Sequence, residues 1–320
     1  VTEFWQGKKV VVTGARGFVG SFLVDALVDL GANVLGMDTG KRGKNHNSYI
    51  KYIDPRQADV TVEGNCGAAF RDADAVFNLA AHVGGLYYNV EHQAEQFWGN
   101  MNTLAPPALA AARGRVLVYL QISTVCCYAE GFNNPAVEPM AHLREPERAN
   151  AGYAWAKRMG ERICHWAFEG TPTRYVIVRP TNLFGPRDYF DETAHVIPAL
   201  IRKFTDGRKM VDVFGRDQRR EFLYVEDVVR GMLAVAEHGK RGEAYNLGTG
   251  GDTQVSIEEL AMTIHGLTES EAGITWEMGR PTGDRNRSTD VKKAHALGWE
   301  HQVGLKEGLV RTIGWWKGQQ

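Results

Sequence analysis

The sequence predicts an α/β protein: a doubly wound parallel sheet with a smaller C-terminal α/β lobe. Three observations predict it. A β-branched run at 8–13, KKVVVT, flows into a loop with glycines at 14, 17 and 20, then into an amphipathic stretch, a second apolar run and an acid, Asp38. Short apolar runs then alternate with segments of helical periodicity up to residue 180, the pattern of repeated strand–helix units. At 180–188 the text PTNLFGPRD, with two prolines and a glycine, marks an exit from the sheet into a second lobe. The expected division is 1–180, with 223–248 returning to it, and 181–222 with 249–320 as the second lobe.

The chain has 320 residues, 43% hydrophobic and 23% charged, with a net charge of −1. That balance gives no electrostatic basis for binding nucleic acid or an acidic membrane. No apolar run approaches the roughly 20 residues of a membrane span. The first apolar run leads directly into the glycine loop and reads as a strand, not a signal peptide. Four cysteines, Cys66, Cys126, Cys127 and Cys164, show neither CxxC spacing nor a metal-ligand pattern, as expected of reduced thiols in a cytoplasmic protein with no metal.

Taken in order, 8–13 is a central strand, 18–30 a helix closed by Gly31, and 33–37 a second strand with Asp38 at its tip. Strand, glycine loop, helix, strand and acid stand in the order of a Rossmann-like dinucleotide fingerprint. Gly14, Gly17 and Gly20 let the backbone approach a pyrophosphate at the helix N-terminus, and Asp38 accepts ribose hydroxyls. Asp38 points to NAD, because it repels a 2′-phosphate. Arg16, Lys41 and Arg42 pull toward NADP, which stays open.

The stretch at 40–47 is a polar loop. Asp59 and Val60 follow a weak strand and suit either an adenine edge or an ordinary turn. The run 75–81 is a strand, with Val83, Gly84 and Gly85 at its C-terminal end, where ligands bind in open α/β sheets. A helix over 96–113 is expected to break or bend at Pro106-Pro107. Asn100 within it reads as solvated or as reaching toward the site. The run 116–122 is a strand opening into a loop with Ser123, Thr124, Cys126 and Cys127, and 131–150 is an irregular connection. Tyr153 and Lys157 lie four apart, on one helix face. A loop hydroxyl, a phenol and an ammonium then converge, a set able to move a proton on and off a sugar hydroxyl.

The remaining elements are a strand at 175–179, a helix at 194–204, strands at 211–214 and 221–224, a helix at 225–237 and a strand at 244–247. A helix at 256–266 opens with a capping box, Ser256 and Glu259. Asp290 begins a short helix, and 305–317 is the last one.

With these residues in view the chain resembles the extended short-chain dehydrogenase/reductase family of nucleotide-sugar epimerases and dehydratases. The likeness rests on TGARGFVG at 13–20, Asp38, NLAA at 78–81, STVCCYAEG at 123–131, YAWAK at 153–157, RPTNLFGP at 179–186 and REFLYVED at 220–227. Within that family, AAHVGGL at 80–86 is similar to a segment of the GDP-fucose synthases and GDP-mannose 3,5-epimerases. The stretch ending HVIPALIRKF is similar to the former, and the tail from 279 to the latter.

The resemblance implies a nucleotide-diphosphate sugar substrate and a homodimer formed through a helix bundle. For the cofactor it implies Phe18 and Val19 in the glycine loop, Leu79, Ala80 and Ala81, Ile122, Pro180, and the pair Tyr153 and Lys157. It makes Thr124, Tyr153 and Lys157 a triad, with Tyr153 as base and its phenol pKa lowered by Lys157 and the cationic nicotinamide together. Dehydratases of the family carry an Asp-Glu pair where this chain has Val125 and Cys126, which argues against elimination of water. Cys126 and His195 match the acid/base pair of the GDP-sugar enzymes, with the helix dipole keeping His195 neutral. Asn182, Arg202, Phe214, Arg220 and Arg287 are candidates for the nucleotide and its diphosphate. The function expected is a redox-neutral epimerase inverting C3 and/or C5 through a transient C4 ketone. The alternatives are an NADPH-dependent epimerase-reductase and a simple 4-epimerase. A non-enzymatic dinucleotide sensor is disfavoured by the complete triad.

Overall fold

The computed structural model describes residues 3–42, 45–131, 135–277, 279 and 283–320. Parts of the expected 40–47 loop, of the 131–150 connection and of the 279–290 tail therefore lie outside the described residues.

The first half runs β1 (Lys9–Thr13), α1 (Phe18–Asp29), β2 (Asn33–Met37), β3 (Lys51–Tyr52), α2 (Glu63–Ala69), β4 (Ala75–Asn78), α3 (Leu86–Glu91), α4 (Gln93–Gly114), β5 (Val118–Ile122), α5 (Ala151–Ala167) and β6 (Arg174–Pro180). The second half runs β7 (Asn182–Phe184), α6 (Val196–Thr205), β8 (Met210–Phe214), β9 (Arg219–Arg220), β10 (Phe222–Tyr224), α7 (Val225–His238) and β11 (Ala244–Leu247). It continues with β12 (Val255–Ser256), α8 (Ile257–Thr268), β13 (Gly273–Glu277), β14 (Asn286–Arg287), α9 (Lys292–His295) and α10 (Leu305–Lys317).

Seven strands form one parallel sheet in the order β11-β6-β5-β4-β1-β2-β3. The order reverses between β1 and β4, so their C-terminal ends open the crevice in which such sheets bind ligands. Side chains alternate across β1. Val10 and Val12 join the core under α1 and α7, whereas Val11 joins the core with Ala108, Ala111 and Cys164 of α4 and α5. A separate apolar cluster, including Phe184, Ile197, Leu200, Val211, Leu260 and Ile313, unites α6, α8 and α10 with the small strands β7, β8 and β10. Among the described residues, no helix is long and apolar enough to cross a membrane.

Two expectations are corrected. Helix α4 runs through Pro106 and Pro107 without a break. Proline 107 has no N–H for the carbonyl of Thr103, and the side-chain amide of Asn78 donates to that oxygen at 3.1 Å. The 131–150 connection contains two short 3-10 turns, Glu138–His142 and Arg148–Asn150. The short helices α2 and α3 were not expected, since neither is long enough to show a period.

Candidate active site

The glycine loop is shaped by close backbone contact. A Cβ at Gly20 would lie 2.1 Å from the Gly14 carbonyl oxygen, and Gly14 itself has φ +66° against the backbone of Leu79 and Ala80. The hydroxyl of Thr13 accepts from the N–H groups of Leu79 and Ala80 at 3.1 and 3.0 Å, which pins the 79–81 turn to the loop. Phe18 and Val19 open α1, whose N-cap is Gly17. Asp38 accepts from the N–H of Arg16 at 3.0 Å and of Gly40 at 2.7 Å, so its carboxylate is fixed at the tip of β2. A cradle that any Cβ would fill, a helix N-terminus and a fixed carboxylate suit a dinucleotide.

Arg42 does not lie free beside Asp38. Its guanidinium donates to the Val83 carbonyl at 2.5 Å and the Thr193 hydroxyl at 2.7 Å, and lies 4.0 Å over the Tyr189 ring. The guanidinium of Arg16 sits 4.4 Å over the Tyr52 ring. Asn100 is fully buried rather than solvated. It accepts from the His82 N–H at 3.1 Å and donates to the His82 carbonyl at 2.7 Å, so it holds the loop that leads to Val83. The carboxylate of Asp59 accepts from the N–H and hydroxyl of Thr61 in a local turn, and Val60 is buried.

Tyr153, Lys157 and Glu161 follow one another along a single face of α5. Thr124 caps the 3-10 turn Val125–Cys127 by accepting from the Cys126 N–H at 3.2 Å, and its hydroxyl also bonds the Tyr153 phenol. Lys157 is buried, donates to the Ile122 carbonyl at 3.3 Å and stands 5.5 Å from the centre of the Tyr153 ring. The loop hydroxyl, phenol and ammonium are thus brought together.

The protein's own groups do not lower the Tyr153 phenol. Burial pushes the Tyr153 phenol above its usual value, opposed by the bond from Thr124. Burial also pulls Lys157 down to about 8, opposed by Cys127 and Glu161.

A stability prediction follows from the lysine. Its native pKa is depressed, so the unfolded chain binds more protons between about pH 8 and the ordinary lysine value of 10.5. The native state therefore carries the full cost of the buried ammonium below pH 8 and is relieved of it as pH rises through that window. Lys157→Met is expected to raise stability at pH 7 by roughly 2 kcal/mol, after about 1 kcal/mol lost with the bond to Ile122. The gain shrinks toward pH 10.5. Denaturant unfolding at the two pH values checks this; a variant less stable than the wild type at pH 7 contradicts it.

Glu161 was not singled out by sequence reasoning, although its spacing from Lys157 repeats that of Lys157 from Tyr153. Its buried carboxylate pairs bidentately with Arg179 at 2.8 and 2.7 Å and accepts from Ser123 at 2.5 Å, while His142 Nε2 lies at 2.8 Å. Burial raises its pKa, but the Arg179 charge overrides this and holds it well below the usual range. The ion pair anchors the floor of the loop that carries Thr124 and Cys126. Cys127 is buried, its thiol pushed up to about 12 by burial first and then by Glu161. Cys126 is partly exposed, and the other three cysteines are buried.

His195 is the N-cap of α6, and its segment is seated on the 83–85 loop. The Gly85 N–H donates to the Thr193 carbonyl at 2.8 Å, and a Cβ on Gly85 would lie 2.6 Å from the Ala194 oxygen. His195 is exposed. The neutral imidazole is favoured, as expected, but the leading causes are crowding by protein and then Arg42.

The substrate candidates are scattered more widely. Asn182 is exposed and donates to the Glu221 carbonyl at 2.9 Å. Arg202 pairs with Glu192 at 2.8 Å, and the Phe214 ring meets Tyr87 at 4.9 Å. Arg220 and Arg287 are register neighbours on β9 and β14. Burial, then the charge of Arg287, brings Arg220 down to about 10. Among the described residues, no group of three His, Cys, Asp or Glu is arranged to hold a metal ion.

The model of the NAD dependent epimerase/dehydratase family matches residues 10–248. The chain is 31% identical to a probable GDP-L-fucose synthase 1 of Oryza sativa subsp. japonica, over 97% of this chain and 92% of that protein. It is 29% identical to the GDP-L-fucose synthase of Escherichia coli K12, over 96% of each. Among solved structures it is similar to the UDP-glucose 4-epimerase of Thermotoga maritima bound to UDP-glucose. There the TM-score is 0.88 and the identity 26%, covering 97% of this chain and 99% of that one.

Proposed function

Because the chain belongs to the NAD dependent epimerase/dehydratase family, we propose that it is a redox-neutral epimerase of a GDP-sugar, inverting C3 and/or C5 through a transient C4 ketone. The observation that carries this reading is the partly exposed Cys126, held by Thr124 beside Tyr153, where an eliminating enzyme needs carboxylates. Relatives named as GDP-L-fucose synthases support the choice of GDP.

Bound nicotinamide dinucleotide supplies the hydride acceptor and donor at C4. Gly14, Gly17, Gly20 and Asp38 hold it, with Arg42 drawn away from Asp38, which favours NAD over NADP. Tyr153 takes the proton of the C4 hydroxyl, Thr124 orients that oxygen, and Lys157 supports the phenolate and the cofactor ribose. The C4 ketone acidifies the protons at C3 and C5. Cys126 removes one as thiolate and becomes the thiol, and His195, after taking a proton from solvent, returns one to the opposite face; the thiol then loses its proton to solvent, which restores both groups. Tyr153 then gives its proton back as the ketone is reduced. Asn182, Arg202, Phe214 and Arg220 line the nucleotide side of the cleft in this reading.

The lobes divide at 180, with 223–248 returning to the sheet, and the substrate lies between them. A homodimer through α4 and α5 completes the proposal, since Trp98, Leu109 and Trp166 are exposed on those helices. The enzyme works in the cytoplasm, with its thiols reduced.

The His195 segment and the fucose synthase relatives favour a second reading, an NADPH-dependent epimerase-reductase. Incubation with GDP-sugars separates the two. Conversion without added reductant supports the redox-neutral enzyme. Strict dependence on NADPH overturns it in favour of the reductase.

A further inference from the structure

Arg287 reads in the sequence as a clamp for the substrate's diphosphate. In the fold it is only 7% exposed, and its nitrogens face protein. Nη2 pairs with Glu147 at 2.6 Å, and Nη1 donates to the sulfur of Cys126 at 3.6 Å. Glu147 is 1% exposed and is itself held: the Asp284 N–H donates to it at 2.7 Å and the Asn150 amide at 3.1 Å. A planar guanidinium fixed at one edge by a buried carboxylate presents its other edge in a set direction.

We infer that Arg287, oriented by Glu147, is the positioning residue that holds the Cys126 sulfur and donates to it as it acts. The assignment deepens the proposed function, because it rests on Cys126 acting as the base there. Other charged and titratable groups surround the sulfur and the guanidinium. Arg220, the register neighbour of Arg287, adds a second cation, and Asp284 lies 3.9 Å from Arg287. Tyr153, Cys127 and Glu147 complete the surroundings. Arg220 is bonded to the carbonyl of Arg219 at 2.9 Å, whereas the N–H donated to the sulfur comes from Arg287. Burial lowers the pKa of Arg287, but the carboxylate of Glu147 overrides this and holds it above its ordinary value, and the pair fixes the direction of the guanidinium.

The chemistry requires such a partner. Removing a proton from carbon transfers it to sulfur, and only the thiolate can accept it. A cation at hydrogen-bond distance stabilises that anion.

The test reads the thiol directly. The other three cysteines are buried, so iodoacetamide modification of the folded protein, followed by mass spectrometry, reports on Cys126. The double variant R287M/E147Q removes both members of the ion pair, so that Glu147 is not left as a buried charge without Arg287, while Asp284 keeps the charge of Arg220 nearby. Its alkylation at pH 7 is expected to be about tenfold slower than that of the wild type. R287K, which cannot bond Glu147 and the sulfur with one planar fork, is expected to slow alkylation about fivefold, and it stands in if the double variant does not fold. Slowing of less than about threefold in whichever is folded overturns the assignment. Alkylation does not depend on turnover. If Cys126→Ser keeps full activity, the thiol's part in the reaction fails while the alkylation result still decides the role of Arg287.

Discussion

Replacing Tyr153 by Phe is expected to lower turnover about a thousandfold, with little change in substrate affinity. The phenol is the group at this site positioned to take a hydroxyl proton, and loss of a placed acid/base typically costs between about a hundredfold and ten-thousandfold. The fold has small dependence on the missing oxygen, whose hydrogen bond is to Thr124. The variant therefore unfolds within about 1 kcal/mol of the wild type. Steady-state kinetics check the prediction; a loss of less than tenfold removes Tyr153 from the role of base. The environment makes that role demanding. Burial holds the phenol above its usual value and brings Lys157 to about 8, so ionisation of Tyr153 depends on positive charge arriving with the cofactor.

Cys126→Ser is expected to separate two steps that Tyr153→Phe abolishes together. In the proposed mechanism oxidation at C4 needs Thr124, Tyr153 and Lys157, which the substitution leaves in place. Proton removal from carbon needs the thiolate, and a serine hydroxyl is far too weak an acid to replace it. Bound cofactor should still be reduced on addition of substrate, seen by absorbance, while exchange of carbon-bound protons with solvent slows at least about a hundredfold. Full exchange in the serine variant would make Cys126 a packing residue. The same outcome would promote the simple 4-epimerase reading.

Much of this site is legible in the sequence because its parts are local. The glycine spacing at 14, 17 and 20 encodes a single tight turn, and Asp38 lies at the end of the next strand. Tyr153 and Lys157 meet because one helical turn separates them. Their surroundings were less legible. Arg42 stands four residues past Asp38 yet reaches Val83 and Thr193, a contact that depends on how distant loops pack. Glu161 carried a readable signal, the repeat of the Tyr153–Lys157 interval, but its partner Arg179 comes from the next strand. The Glu147–Arg287 pair joins an irregular connection to a two-residue strand, and neither segment has a period to place it. Helix α4 shows the reverse. Two prolines gave a strong local signal for a break, and a tertiary bond from Asn78 to the freed carbonyl accompanies an unbroken helix.

In the proposed reaction inversion proceeds by removing a proton from carbon beside a transient C4 ketone. Turnover of a GDP-sugar in D₂O, without added reductant and with the product read by NMR and mass, tests it most directly. Deuterium at C3 or C5 of the inverted product is the expected result. Inversion at C4 with no deuterium in the sugar would contradict it.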